Sequence, residues 1–318
     1  MLLGALGLLV AIAMPLVLGS YGISLLTQML IFALLAMSLD ILVGYAGLVS
    51  LNHASFFGIA AYTVGILSTH GYNNFWLGLA AGVVAALLLG LVLGLLVLRS
   101  SGPYFLMITL AFGQMLFALA WKWRFLTGGD DGLPGIARPD LGIPVSLWPT
   151  SNFYYLVLAV WTLSLVFLYW FIRLPRGKSI VGTRESESRM QALGYNTWAI
   201  KYLAYVLAGG VAGLAGVLHV YYNGFVSPQE LNWTMSGTIL LMVIIGGAGT
   251  LFGPALGAGI IVLLQNLVSS YTERWPLAMG IVFILCVMYS RSGLWGYILE
   301  LRNKGRMDHE CLRSKKPQ

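Results

Sequence analysis

Long apolar runs alternate along the chain with short turn-rich or charged segments, and this pattern predicts ten helices. In the first half they fall at Leu2–Leu18, Ile23–Val43, Leu51–Ser68, Phe75–Leu98 and Tyr104–Ala120. The second half adds Phe153–Ile172, Tyr202–Tyr222, Met235–Gly246, Phe252–Ser269 and Leu277–Tyr289. No Asp, Glu, Lys or Arg occurs from Met1 to Leu39, from Ile41 to Leu98, or from Leu231 to Thr272. A transmembrane helix needs about 20 mostly apolar residues, so each tract holds at least one crossing. The eighth run is short for a crossing and is read as tilted, broken or re-entrant. The expectation is therefore an all-α polytopic integral membrane protein with about ten (eight to ten) transmembrane helices.

Composition agrees. Of 318 residues, 58% are hydrophobic and 9% charged, against about 25% charged in soluble domains. Soluble, disordered, collagenous and disulfide-scaffold classes are excluded. The net charge of +7 concerns membrane sidedness rather than nucleic acid. With the segment between the sixth and seventh helices in the cytoplasm, 14 of the 18 basic residues lie inside, as the positive-inside rule requires. Both termini are then cytoplasmic. Nine of the ten tryptophans fall at or beyond predicted helix ends, with Trp161 the exception, as expected of a side chain that prefers the headgroup level. The first 19 residues lack the basic region that opens a secretory signal and are read as a retained crossing. One transmembrane domain is expected over residues 1–301, with a cytoplasmic segment at 174–200 and a basic tail at 302–318.

The glycines, 39 in all, recur at four-residue spacing in Gly90/Gly94, Gly209/Gly213 and Gly249/Gly253/Gly257. Small residues so placed let helix backbones approach closely, either within the chain or across a dimer seam. Gly44-Tyr45-Ala46-Gly47 and Gly246-Gly247-Ala248-Gly249 echo each other, through shared turn chemistry or through duplication. In the inner loop, Thr183 suits an N-cap, Glu185 and Glu187 the first turn, and Gly194 the C′ stop. A helix over Arg184–Leu193 follows, with Met190 and Leu193 on one flank. It is too short to be stable alone in water, so it either docks on a partner or skims the lipid.

Enzymatic motifs are missing. Gly177-Lys178-Ser179 copies the end of a phosphate-binding loop, but Ile172 stands where its leading glycine belongs. The four histidines and two cysteines have no zinc spacing. Asp130-Asp131 lacks the alternation of a calcium loop. No metal site, bound cofactor or catalytic residue is expected in this chain. Among ionisable residues only Asp40 is expected to approach the membrane interior, near the inner end of the second helix, where a structural partner is favoured over a functional one. Uncharged polar residues enter the spans at Ser50, Asn52, His53, Ser55, Thr109, Gln114, Gln265 and Asn266. Each is explained by interhelical hydrogen bonding; together they are candidates to line a solute route. Thr109 and Gln114, about 140° apart on a helix, cannot both face one narrow lumen.

The run Gly44-Tyr45-Ala46-Gly47-Leu48-Val49-Ser50-Leu51-Asn52-His53-Ala54-Ser55-Phe56-Phe57-Gly58 resembles the opening signature of branched-chain amino-acid ABC transporter permeases. The segments 104–115, 127–133, 184–189 and 192–196 are similar to the LivM-type branch in particular. Gly246-Gly247-Ala248-Gly249-Thr250 with Gly253, Pro254 and Gly257 completes the likeness, which covers most of residues 32–296 in order. Asn52 stands where glycine is common in the family, and Ser186 where asparagine is. The resemblance implies a permease half in a bacterial inner (plasma) membrane. It would pair with a second, LivH-type permease and two ATPase subunits, which would hold the ATP and magnesium, and a periplasmic or lipid-anchored binding protein would deliver substrate. The implied substrates are leucine, isoleucine and valine; urea, short amides and other amino acids belong to neighbouring branches.

By the same resemblance, segment 183–194 matches the family's coupling helix, with Arg184, Glu185, Glu187, Arg189, Ala192, Leu193 and Gly194 as the ATPase-coupling residues. Gly44, Gly47, Gly246, Gly247, Gly249 and Gly253 are packing or hinge positions. Asn52, His53, Thr109 and Gln114 are the pathway candidates. Alternating access is the expected mechanism, with ATPase closure pushing on the coupling segment and rocking the sixth and seventh helices. A stand-alone secondary carrier and a membrane-embedded lipid enzyme are the rival readings.

Overall fold

The computed structural model describes residues 11–15, 18–140, 142, 147–271 and isolated positions between 277 and 296. Most of the first and tenth predicted helices, and the whole basic tail, lie outside the described residues. The described helices are α1 (Ser20–Asp40), α2 (His53–Thr69), α3 (Phe75–Val97), α4 (Pro103–Lys122), α5 (Arg124–Thr127) and α6 (Thr150–Arg173). They continue with α7 (Pro175–Glu185), α8 (Glu187–Ala192), α9 (Thr197–Asn223), α10 (Trp233–Gly246) and α11 (Phe252–Ser269). Six are long and apolar enough to cross a membrane: α1 with its π-helical extension to Ala46, α3, α4, α6, α9 and α11.

Local chemistry sets the boundaries. The Asn74 carboxamide accepts from the N–H groups of Trp76 and Leu77 and starts α3. Asn196 caps α9 in the same way through Ala199, which begins that helix five residues before the apolar run suggested. Pro103 and Pro175 open α4 and α7, where a missing N–H costs nothing. Gly47 and Gly224 close the two most buried helices in left-handed conformations, which a residue with a Cβ resists.

The bundle has a buried centre and an apolar rind. α1 and α9 are mostly buried, whereas only a minority of α3, α4, α6 and α11 is. Leu88, Val92 and Leu96 on α3, and Leu163, Val166 and Phe167 on α6, face outward. That inversion of a soluble protein is what lipid as solvent favours. Lipid gives apolar helices no reason to associate, so close packing must do so. A methyl at Gly82 would collide with Val217, one at Gly213 with Ala86, and one at Gly94 with Tyr202. The glycine stripes of α3 and α9 therefore serve packing inside the chain.

The two ends of the bundle differ. At one, the basic segment 173–201 meets the turns after α1 and α10. At the other, residues 123–140 fold over the exit of α9. There β1 (Leu133–Pro134) pairs antiparallel with β2 (Phe225–Val226), Ile136 and Leu147 are buried, and the Arg138 guanidinium donates to the carbonyls of Leu147 and Trp148 at 3.1 and 2.6 Å.

Two shorter helices, α2 with 17 residues and α10 with 14, break the pattern. α1 runs to the basic end; the chain turns at Gly47, re-enters extended, and α2 starts inside the bundle and heads back to the far end. α9 runs to the far end; the chain turns at Gly224, re-enters, and α10 starts inside and returns to the basic end. The two starts meet: the Ala54 N–H donates to the Ser236 hydroxyl at 3.0 Å. α3 packs on α9 as α11 packs on α1, so the halves are related by inversion. With 14 residues, α10 spans about 21 Å, short of the roughly 30 Å hydrocarbon core. It is the shortened eighth helix anticipated from the sequence. The echoing runs at 44–47 and 246–249 are not equivalent in these halves: one ends a long helix, the other a short one. They touch instead.

Candidate functional site

At the basic end the chain builds a protruding hairpin and a latch. The expected single helix over Arg184–Leu193 is two helices, α7 and α8, broken at Ser186. Thr183 caps nothing; its hydroxyl donates to the Ser179 carbonyl one turn back. Ser186 takes the capping role and accepts from the Arg189 N–H. This follows from Pro175, which nucleates α7 eight residues before Thr183. Gly194, at φ 85°, ends α8 in a Schellman motif: its N–H bonds the Gln191 carbonyl, and that of Tyr195 the Met190 carbonyl. Met190 folds back against Gly182, so it does not share a flank with Leu193, which is 71% exposed. No residue of α8 is buried. Ala192, Leu193 and Tyr195 form an uncovered apolar knob, flanked by exposed Glu185 and Arg189.

Besides the Gln191 carboxamide, which donates to the Thr197 hydroxyl at 3.1 Å, two contacts of charged side chains hold this hairpin to the bundle. Lys201 donates to Glu187 at 2.7 Å, and that bond holds the Glu187 carboxyl below its ordinary value of 4.5. The folded state thus binds fewer protons than the unfolded one, and the pair's contribution is present above about pH 4.5 and fades as the pH falls through the lowered value. The second contact runs deeper. The Arg184 guanidinium donates to the Gly44 carbonyl and lies in the field of Asp40. Asp40, 0% exposed, accepts from the N–H groups of Gly249 at 2.7 Å and Leu251 at 3.2 Å. A side chain on Gly44 would overlap both the Asp40 carboxylate and Gly249; one on Gly47 would press on Arg184. Gly246 and Gly253 lie in backbone contact, and Gly247 abuts Gly293. All six sequence-predicted glycines therefore sit in or beside this latch. Asp40 is its hub, with backbone amides and a cation as its structural partners.

The pathway candidates gather where α2 begins. Gly113, which faces Asn52, lies ten residues into α4, about 15 Å from its start. The Thr109 hydroxyl donates to the Leu106 carbonyl and accepts from the Leu51 N–H, so it clamps the re-entrant segment and is satisfied. The His53 ring meets the Ser38 hydroxyl at 2.7 Å. Asn52 occupies the N-cap position of α2, yet its side chain caps nothing, unlike Asn232, which caps α10 through Thr234. The Ser55 hydroxyl and one His53 nitrogen are buried without hydrogen-bond partners, and the Asn52 carboxamide and the Tyr205 hydroxyl, equally buried, have only each other within reach. An unpaired buried polar group costs about 1–3 kcal/mol, so this nest is expensive as it stands. The Gln114 carboxamide nitrogen, one residue beyond Gly113, is likewise buried without a hydrogen-bond partner. Asn266 bonds the Val262 carbonyl of its own helix.

Sequence reasoning missed a second enclosed carboxylate. Glu230, in the re-entrant segment before α10, lies 3.5 Å from His219, and the two side chains are 12% and 8% exposed. Asp40 is therefore not alone in the interior. The signal was present as a hidden repeat: Gly47-Leu48-Val49-Ser50 then Leu51-Asn52, and Gly224-Phe225-Val226-Ser227 then Leu231-Asn232. Each copy closes a long helix, re-enters and starts a short one. The three residues Pro228-Gln229-Glu230, present only in the second copy, conceal the match and carry the acid.

A family model described as the permease component of a branched-chain amino acid transport system matches residues 21–290. The chain is 32% identical over 310 residues to the high-affinity branched-chain amino acid transport system permease protein LivM of Salmonella typhimurium, covering 90% of this chain and 73% of that one. It is 24% identical over 284 residues to the corresponding permease protein LivH of Escherichia coli K12, covering 83% and 91%. The autoinducer 2 import system permease protein LsrC of Yersinia pestis is 28% identical over 232 residues, or 69% and 61% of the two chains. No solved structure matches.

Proposed function

The chain belongs to the family of permease components of branched-chain amino acid transport systems, and from that premise we propose that it is one permease half of an ABC importer for leucine, isoleucine and valine. Its companions are a LivH-type permease, two ATPase subunits holding ATP and magnesium, and a periplasmic or lipid-anchored binding protein. It lies in a bacterial inner membrane with ten crossings and both termini in the cytoplasm. Branched-chain substrates are favoured over urea, amides or other solutes because the LivM relative combines the higher identity with the fuller coverage.

The observation that carries this reading is the uncovered knob at Leu193, tied through Arg184 to the turns at Gly44 and Gly249. An exposed apolar turn on a short helix calls for a partner surface, and its attachment to the bundle centre gives a push there somewhere to go. ATPase closure presses on α8. Arg184 carries the displacement to the π-helical end of α1 and, through Asp40, to the turn between α10 and α11. Both short helices hang from these turns, and their meeting point at Ala54 and Ser236 opens first to one side and then to the other. Arg184, Glu185, Glu187, Arg189, Ala192, Leu193 and Gly194 form the coupling segment in two roles: Leu193 and its exposed neighbours dock, while Arg184 and Glu187 anchor.

The test is reconstitution. The complete complex in liposomes accumulates leucine only with ATP and the loaded binding protein. Leu193→Asp leaves membrane insertion intact but loses the ATPase subunits on purification and abolishes uptake. Leucine accumulation by the lone chain without nucleotide would overturn the proposal.

A further inference from the structure

A cavity of about 310 Å³ opens at the basic end between the last turn of α6, the π-helical turn after α1 and the first turn of α11. Its walls are Tyr45, Tyr169, Ile172, Arg173, Thr250 and Phe252. The Arg173 guanidinium lies over the Tyr169 ring at 4.1 Å from its centre, a stacking that fixes the direction of the charge. Among the described residues Arg173 has no carboxylate partner, and Asp40 behind the cavity is committed to the amides of Gly249 and Leu251. The cation is thus oriented but not neutralised. Its depth is marked by the neighbouring Trp170, 61% exposed, an indole at the level where such rings meet headgroups. Above it on α6, Leu163, Val166 and Phe167 present an apolar track.

We infer that this cavity binds the phosphate of an anionic phospholipid, with Arg173 as the charge that selects it and the α6 track as the bed for its acyl chains. Basic recesses between transmembrane helices suit such headgroups, and the mostly apolar walls fit a glycerol backbone better than a hydrated free anion. A bound headgroup would join the end of α6 to the Gly249 turn, the turn that Asp40 grips. Lipid composition therefore sets how stiffly the latch is held. The inference needs only that the bundle spans a bilayer and does not depend on the transported solute.

The test is native mass spectrometry of the detergent-purified full chain titrated with phosphatidylglycerol or phosphatidylcholine, with thermal melting in parallel. Wild type retains one phosphatidylglycerol in preference to phosphatidylcholine, and melts later with it. Arg173→Gln lowers phosphatidylglycerol retention about fivefold, the effect of one basic residue near an anionic surface, and leaves phosphatidylcholine unchanged. Tyr169→Leu, which removes only the stacking platform, shows a smaller loss in the same direction. Arg176→Gln, an equal loss of charge outside the cavity, keeps the preference. Equal losses in the Arg173 and Arg176 variants would reduce the effect to diffuse surface charge and overturn the site. Displacement of the lipid by millimolar inorganic phosphate, with the same rise in melting temperature, would make it a soluble-anion site and equally overturn it.

Discussion

Asp40 and Arg184 carry more of the molecule than their number suggests. Each of the amides that Asp40 accepts from belongs to the turn between α10 and α11. Asp40→Ala strands both, at about 1–3 kcal/mol for each buried unsatisfied donor, and leaves the Arg184 charge facing a carbonyl alone. Arg184→Ala removes the cation but leaves the carboxylate its amides, so it costs less. The two are coupled, because Arg184 is worth most when Asp40 is ionised. Melting temperatures of the two single variants and the double variant are therefore expected to be non-additive by about 0.5–3 kcal/mol, the range for residues of one network. Additive losses would mean that the guanidinium merely rests on Gly44. The Asp40 partners were out of reach of sequence reasoning because the amides lie 209 and 211 residues away. What could be read was that a carboxylate near the end of an apolar span must find partners.

At the scale of elements, glycine divides into two kinds of work with different consequences. Gly213 lies where α9 meets α3, and Gly→Leu there drives a side chain into Ala86; overpacking of this kind costs about 1–3 kcal/mol or more and should appear as poor insertion and early melting. Gly194 touches nothing that a methyl would meet, but holds φ 85°. Gly194→Ala therefore costs about 1–2 kcal/mol of local strain, confined to the end of α8. Its expected signature is normal insertion and melting with a lowered ratio of leucine carried to ATP hydrolysed, because Leu193 is no longer aimed. Loss of insertion in this variant would deny the segment a coupling role. The apolar pattern placed eight of the ten predicted helices among the described elements to within about five residues, and it recognised α10 as too short. It erred at α7 and α8 because their boundaries are set by Pro175 and Ser186, local signals that a ten-residue polar window with several possible caps does not rank. It could not foresee that Glu230 is enclosed, because burial there comes from a backbone that re-enters the bundle, and re-entry leaves no run of apolar residues to see.

The described bundle is two inverted halves joined where their short helices begin, and among the described residues that junction gathers several buried polar atoms without partners. The coincidence has a physical reading. A polar nest closed off from water is costly, so in the proposed cycle opening relieves that cost. The latch is connected to both short helices, since Gly44 leads directly into the segment ending at Asn52, and the Gly249 turn is the far end of the helix that carries Ser236; the proposed cycle uses it to transmit the ATPase push. Opening should then be visible at Asn52 itself. In a chain whose Cys286 and Cys311 are replaced by serine, Asn52→Cys is expected to react slowly with a small membrane-permeant maleimide when the complex holds no nucleotide. During ATP turnover with the loaded binding protein, the rate should rise by about an order of magnitude or more, because a closed group reacts only as often as its surroundings open. Arg184→Ala in the same background should abolish that acceleration while leaving the resting rate unchanged, which separates transmission through the latch from general loosening of the bundle. Equal labelling with and without turnover would place the moving gate elsewhere and leave the Asn52 nest a static cost of the fold.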